Sequence, residues 1–172
     1  MIREALVEDL VEIERIYNRL FDYEEENGSK TNWVRGKYPT IENAKEKLAK
    51  GELFVGVDNG NIYGSMVLNQ DQLAEYKKIK WSFVYDDDKV GVIHTLCIDP
   101  EYFGRGKGKE LIFFAEEHFR NLGCLTMRFD TYEENLPATE LYVRNGYRIA
   151  GVEEFFFQGF VVENLRCFEK EL

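Results

Sequence analysis

The sequence is poor in the residues from which covalent and metal-built frameworks are made. Its 172 residues include three cysteines, Cys97, Cys124 and Cys167, widely spaced and with no Cys-x-x-Cys pair. That pattern supplies neither a disulfide framework nor a zinc site, and three reduced, mostly buried thiols are expected. No apolar run approaches the roughly 18–20 residues that cross a bilayer. Residues Met1 to Asp9 carry acids where a signal peptide needs a basic end and an apolar stretch. A cytoplasmic protein with no membrane partner is therefore expected. Positive charge is scarce too: 22 Lys and Arg stand against 32 Asp and Glu, a formal net charge of −10. Such a surface repels phosphate backbones, which excludes a general nucleic-acid partner unless a basic patch stands out locally.

What is present is globular. The chain is 44% apolar and 15% aromatic, and its length suits one domain, residues 1–172, with one full core. Ile2 to Leu6 reads as a strand. Asp9 then caps a helix with Leu10, Val11, Ile13, Ile16, Tyr17 and Leu20 at three-and-four spacing. Periodicity is lost from Phe21 to Thr40, where Glu24, Glu25 and Glu26 read as a solvated loop or as holders of a cationic acceptor. A short helix follows over Ile41 to Lys50. Leu53–Val57 and Ile62–Leu68 flank Asp58-Asn59-Gly60-Asn61, a hairpin signal.

Residues 69–89 form a long connection, with a short helix expected near Leu73 to Lys80. Val90 to Ile98 is nearly continuous in apolar residues and reads as a strand buried on both faces. A helix from Lys107 to Asn121, a strand over Leu125 to Phe129, a helix capped by Asn135 and stopped at Asn145-Gly146, and strands over Arg148–Glu153 and Asn164–Phe168 complete the chain. The order β-α-α-β-β-β-α-β-α-β-β predicts an α/β (α+β) fold. Its sheet is mixed, mostly antiparallel and six- to seven-stranded, with helices on both faces.

The informative stretch lies after the buried strand: Asp99-Pro100-Glu101-Tyr102-Phe103-Gly104-Arg105-Gly106-Lys107-Gly108-Lys109. Three glycines at alternate positions lead into a helix N-terminus. Glycine allows a tight turn and leaves amides uncovered, and the helix dipole adds positive potential there. Arg105, Lys107 and Lys109 place three cations in a chain that is otherwise acidic, so a phosphate site is indicated. The spacing is not that of a Walker A loop, because Glu110 stands where Ser or Thr is required, and it is not Gly-x-Gly-x-x-Gly.

This strand, Asp-Pro step, glycine-basic loop and amphipathic helix resemble the acetyl-CoA-binding core of the GNAT superfamily of N-acetyltransferases. The family's Gln/Arg-x-x-Gly-x-Gly/Ala pattern aligns with Phe103-Gly104-Arg105-Gly106-Lys107-Gly108, Phe103 replacing the usual Gln or Arg. Asp130 to Tyr147 is similar to the family's second signature, in which an Asn opens a helix and a Tyr precedes its Gly-aromatic end.

The resemblance implies an enzyme that uses acetyl-CoA as co-substrate and no metal, acting on a small amine or amino-acid-like acceptor. It implies that the amides from Gly104 to Gly108, with Phe103 and Lys109 flanking them, hold the pyrophosphate. Leu96, Cys97 and Ile98 would pair their backbone with the pantetheine arm, in a slot opened where this strand splays from the Leu125–Asp130 strand. Asn135 would touch the cofactor arm and Tyr142 would protonate the leaving thiolate. His94 and Asp130 are candidates for the general base. His118 is expected to be inert. A catalytically silent acyl-CoA sensor of the same fold is the alternative, and a kinase-like nucleotide module is a third reading that lacks its motifs. Dimerisation through the C-terminal strands is left open.

Overall fold

The computed structural model describes all 172 residues. Seven strands and four helices follow one another in the expected order: β1 (Ile2–Glu4), α1 (Leu10–Asn27), α2 (Ile41–Ala49), β2 (Leu53–Asp58), β3 (Asn61–Asn69), β4 (Val90–Ile98), α3 (Lys107–Asn121), β5 (Thr126–Tyr132), α4 (Leu136–Arg144), β6 (Arg148–Phe157) and β7 (Val161–Glu171). The strands form one mixed sheet in the order β1-β2-β3-β4-β5-β7-β6. Val90–Val92 of β4 run parallel to Thr126–Arg128 of β5, while β1/β2, β2/β3, β5/β7 and β6/β7 are antiparallel. No helix is long and apolar enough to cross a membrane. The chain forms two compact units: residues 1–68 with 94–114, and residues 69–93 with 115–172.

In the first unit the inward stripe of α1 is Leu10, Ile13, Ile16, Tyr17, Leu20 and Phe21. It packs with Ala44 of α2, Leu53 and Val55 of β2, Ile62 and Val67 of β3, and Cys97 of β4. Each buried Leu, Ile, Val or Phe among them stabilises the fold by roughly 1.5–3 kcal/mol. Helix α1 runs to Asn27, seven residues past the last periodic apolar position, and so takes in the expected loop acids. Glu24 lies on its buried face, where the carboxylate accepts from the Lys30 and Thr31 amides (both 3.0 Å) and from the Ser29 (2.9 Å) and Thr31 (2.8 Å) hydroxyls. A buried glutamate on the inner stripe breaks the apolar period, and only the folded loop supplies its donors. Glu24 is thus consumed in fastening residues 29–31, and Glu25 pairs with Arg35 at 2.9 Å.

The β2–β3 hairpin turns at Asn59-Gly60, both with positive φ (49° and 83°), as a two-residue turn matched to strand twist requires. Thr40 caps α2 by accepting from the Asn43 amide at 3.3 Å, and the Asn43 side chain accepts from the Thr40 amide at 2.9 Å.

In the second unit β6 and β7 pair from Arg148↔Glu169 to Phe157↔Val161, longer than the sequence pattern suggests. Phe155 is buried and Phe156 exposed, so both faces of β6 carry aromatics and no polar alternation marks the strand. Tyr76, Ile79, Val90, Val92, Phe155, Leu165 and Cys167 form one buried cluster of this unit.

The connection 69–89 is tied down by two buried charges. Arg128 donates to the Gln72 side chain (2.6 Å) and the Phe83 carbonyl (2.7 Å), with its guanidinium 4.4 Å from the Trp81 ring centre. Glu169 accepts from the Ser82 and Phe83 amides and pairs with Arg148. The helix expected near Leu73–Lys80 is a five-residue 3-10 turn, Ala74–Lys78.

Candidate active site

The glycine loop belongs to the first unit. Asp99 ends β4, buried, and its carboxylate accepts from the Glu101 amide (3.1 Å) and pairs with Arg19. The chain then makes a 3-10 turn over Pro100–Tyr102 and reaches Gly104 (φ 72°) and Gly106 (φ 76°), where an added Cβ would meet nothing within 4 Å. These glycines are required by backbone conformation, and the space before them is open to a ligand. The Glu110 amide donates to the Gly106 carbonyl (3.2 Å), the first hydrogen bond of α3. The amides of Lys107, Gly108 and Lys109 therefore stand ahead of the helix ladder, without intrahelical acceptors. The Arg105 amide turns back to the Tyr102 carbonyl (3.4 Å).

The three cations of this loop are not equivalent. Lys107 pairs with Glu110 at 3.0 Å and Asp58 at 3.3 Å, lies 4.8 Å from the Tyr63 ring centre, and its side chain is only 14% exposed. It is an internal clamp between the hairpin turn and α3, contrary to its expected place among the free phosphate-facing charges. Arg105 is exposed, 5.5 Å from the Tyr102 ring centre, and Lys109 is exposed beside Phe113. Phe103, standing where the family has Gln or Arg, is 43% exposed and meets the edge of Tyr23.

Strand β4 is buried from Val90 to Ile93 and half-buried over His94–Leu96, so the two-sided burial expected of the whole strand stops midway. The break coincides with Thr95, which has φ 49°, a left-handed backbone inside a strand. A β-branched residue seldom adopts it, and such local departures re-aim adjacent backbone groups. The Thr95 hydroxyl is hydrogen-bonded to that of Tyr38, itself buried and edge-on to Trp33 at 5.8 Å. Nothing in the sequence marks Thr95, because Thr is an ordinary strand residue. Cys97 turns its thiol into the core, where burial pushes its pKa up. Its carbonyl oxygen would lie 2.5 Å from a Cβ at position 64, so Gly64 permits the close approach of β3.

The second unit holds Tyr142, Asn135 and Asp130. Asn135 caps α4 by accepting from the Ala138 amide (3.2 Å) and donates to the Thr131 hydroxyl (3.3 Å). Tyr142 is buried among Phe129 (4.5 Å between ring centres), Phe168 (5.0 Å) and Tyr147 (6.3 Å), and no protein group hydrogen-bonds its hydroxyl. Burial, with the negative charge of Asp130 nearby, raises its pKa, so the phenol keeps its proton at neutral pH.

Asp130 accepts from the Tyr76 hydroxyl at 2.7 Å through Oδ2. Burial lifts the carboxyl to about 6, Tyr76 holding it down and Glu163 and Glu75 pushing it up. Tyr76 arrives from the 69–89 connection and carries no sequence signal, since its pairing depends on a contact 54 residues away.

The acetyltransferase (GNAT) family profile matches residues 10–147. A GNAT-family acetyltransferase from Streptococcus agalactiae superposes with TM-score 0.81 at 19% identity, covering 100% of this chain and 95% of that one. A Salmonella typhimurium protein solved with its cofactor acetyl-CoA gives TM-score 0.69 at 18% identity, with 100% and 93% covered. The mycothiol acetyltransferase of Segniliparus rotundus is 24% identical over 88% of this chain and 52% of its own length. The glucosamine 6-phosphate N-acetyltransferase of Trypanosoma brucei brucei is 32% identical over 56% of this chain and 58% of its own. The matches therefore span little more than half the length of these two curated relatives.

Proposed function

Because the chain belongs to the acetyltransferase (GNAT) family, we propose that it transfers the acetyl group of acetyl-CoA to a small primary amine by direct attack in a ternary complex. The observation that carries this reading is the open glycine loop, with the amides of Lys107, Gly108 and Lys109 ahead of the α3 ladder. Such amides, with the helix dipole, suit a pyrophosphate. A fold relative solved with acetyl-CoA and a curated relative named as an N-acetyltransferase support the donor and the amine acceptor.

In this mechanism the backbone of Leu96, Cys97 and Ile98 aligns the pantetheine arm. Amides beside the left-handed Thr95 polarise the thioester carbonyl. The acceptor ammonium loses a proton, directly or through water, to Asp130 or His94, and Asp130 is favoured because it is ionised at neutral pH with one acceptor oxygen unused. The amine then attacks the carbonyl carbon and the carbon–sulfur bond breaks as Tyr142 gives its proton to the departing thiolate; the nitrogen's second proton returns through water to the tyrosinate, and Asp130 releases the proton it took to solvent. Holding both reactants together contributes about 7–11 kcal/mol as effective molarity.

The test is calorimetry with acetyl-CoA, beside ATP and NAD as controls, followed by thiol release with an amine panel. Micromolar acetyl-CoA binding that weakens in Arg105→Ala, with amine-dependent thiol release, is expected. Silence with acetyl-CoA overturns the reading. Binding without thiol release from any amine transfers it to an acyl-CoA sensor.

A further inference from the structure

Asp130 and Tyr76 form a polar pair inside the aromatic core of the second unit. Tyr76 is buried, with its ring 5.2 Å from that of Trp81 and 6.1 Å from that of Phe155. Its hydroxyl occupies Asp130 Oδ2, and the other carboxylate oxygen has neither a hydrogen bond nor a cation. That oxygen retains some solvent contact, unlike the fully enclosed and unpartnered Ser65 Oγ and Arg128 Nε. A largely desolvated carboxylate with one oxygen unpartnered is incomplete without a positive partner.

The surroundings limit what that partner can be. Glu75 from the Ala74–Lys78 turn and Glu163 from β7 add negative charge, and Cys167 of β7 faces Asp130 across the β5/β7 pairing. Tyr142 approaches from α4, closely enough for its phenol to feel the Asp130 charge. Arg128, two residues back on β5, turns its guanidinium to Gln72 and Phe83 instead.

We propose that Asp130 Oδ1, presented by the Tyr76 hydroxyl, is the anchor for the acceptor's ammonium group, and that the site selects amines without a carboxylate beside the nitrogen. The inference rests on the transferase reading and narrows its acceptor. An ammonium satisfies Oδ1 and finds aromatic faces next to it. An α-amino acid brings a carboxylate into a field already set by Asp130, Glu75 and Glu163, and the like charges repel it. Tyr76 is a positioning residue: it fixes which oxygen is offered.

The experiment compares phenethylamine, phenylalanine and phenylalanine methyl ester as acceptors for the intact protein, with acetyl-CoA affinity measured separately by calorimetry. The ester matches the amino acid in size but lacks its negative charge. Phenethylamine and the ester are expected to exceed phenylalanine at least tenfold in kcat/KM. Asp130→Asn is expected to lower the amine value at least tenfold and bring the amine-to-amino-acid ratio towards one, with acetyl-CoA affinity within twofold of the parent. Tyr76→Phe is expected to raise KM for the amine severalfold more than it lowers kcat, which a general loss of packing would not do.

Equal turnover of phenethylamine and phenylalanine, an unchanged ratio in Asp130→Asn, or no turnover of any of the three while acetyl-CoA binds would overturn the ammonium site and leave the donor reading standing. Failure to bind acetyl-CoA would overturn both.

Discussion

The hydroxyl of Tyr38 bonds that of Thr95 at the point where β4 turns left-handed. Residue 38 lies just ahead of α2 and residue 95 lies inside the central strand, so a loop far away in sequence holds a strained backbone in place. Tyr38→Phe should lower stability by about 1 kcal/mol, a Tm drop of about 2–4 °C for a chain of this size. At Thr95 the order of two variants is diagnostic. Thr95→Gly loses the hydroxyl and relieves the positive φ, whereas Thr95→Val loses the hydroxyl and keeps the strain. Thermal unfolding should place the valine variant below the glycine variant.

Gly104 and Gly106 separate a cost in conformation from a cost in contact. A Cβ at either site meets no atom, so alanine there costs about 1–2 kcal/mol for the left-handed backbone alone. The fold should survive, with circular dichroism unchanged, while acetyl-CoA affinity falls at least tenfold as the amides lose their aim.

Tyr142 is held by ring contacts and not by its hydroxyl. Tyr142→Phe should therefore keep both Tm and acetyl-CoA affinity. Removing the proton donor should lower kcat by about 100-fold or more. Equal turnover would show that water protonates the thiolate.

The pH response of Asp130 has an unusual sign. Its carboxyl sits at about 6 in the folded chain, above an unfolded value of about 3.9. The folded state therefore holds this proton more tightly than the unfolded one. Its contribution to stability grows as pH falls from 6 towards 4 and is a penalty above 6. Asp130→Asn should raise stability at pH 8, by on the order of 2–3 kcal/mol at most, and leave it nearly unchanged at pH 4. The same titration should appear as the acid limb of kcat/KM, with activity lost below about pH 6. Chemical denaturation at the two pH values and a rate profile check both halves.

Much of the fold was legible because its signals are local. Asn59-Gly60 announces its hairpin, Asn135 its helix and Gly146 its stop, each through backbone chemistry that needs no distant partner. The glycine loop was legible for the same reason. What stayed hidden depends on contacts made only after folding. Glu24 reads as a surface acid until residues 29–31 supply four donors. Lys107 reads as a free cation until Asp58 and Glu110 close on it. Tyr38 and Tyr76 read as ordinary aromatics, and the hydroxyl partners that place them, Thr95 and Asp130, lie 57 and 54 residues away.

The Lys107 clamp bears on how the protein behaves in solutions of different ionic strength. With Lys107 neutralised between two acids, the trio Asp58, Lys107 and Glu110 carries a net negative charge beside the loop, and the whole chain stands at −10. A polyanionic ligand approaching such a protein is opposed at long range and held at short range by amides, Arg105 and Lys109. Added electrolyte screens the first effect more than the second, because the screening length shrinks to about 8 Å at 0.15 M. Acetyl-CoA affinity should therefore stay level or rise between 20 and about 150 mM NaCl, the reverse of the behaviour of a phosphate site built on free lysines.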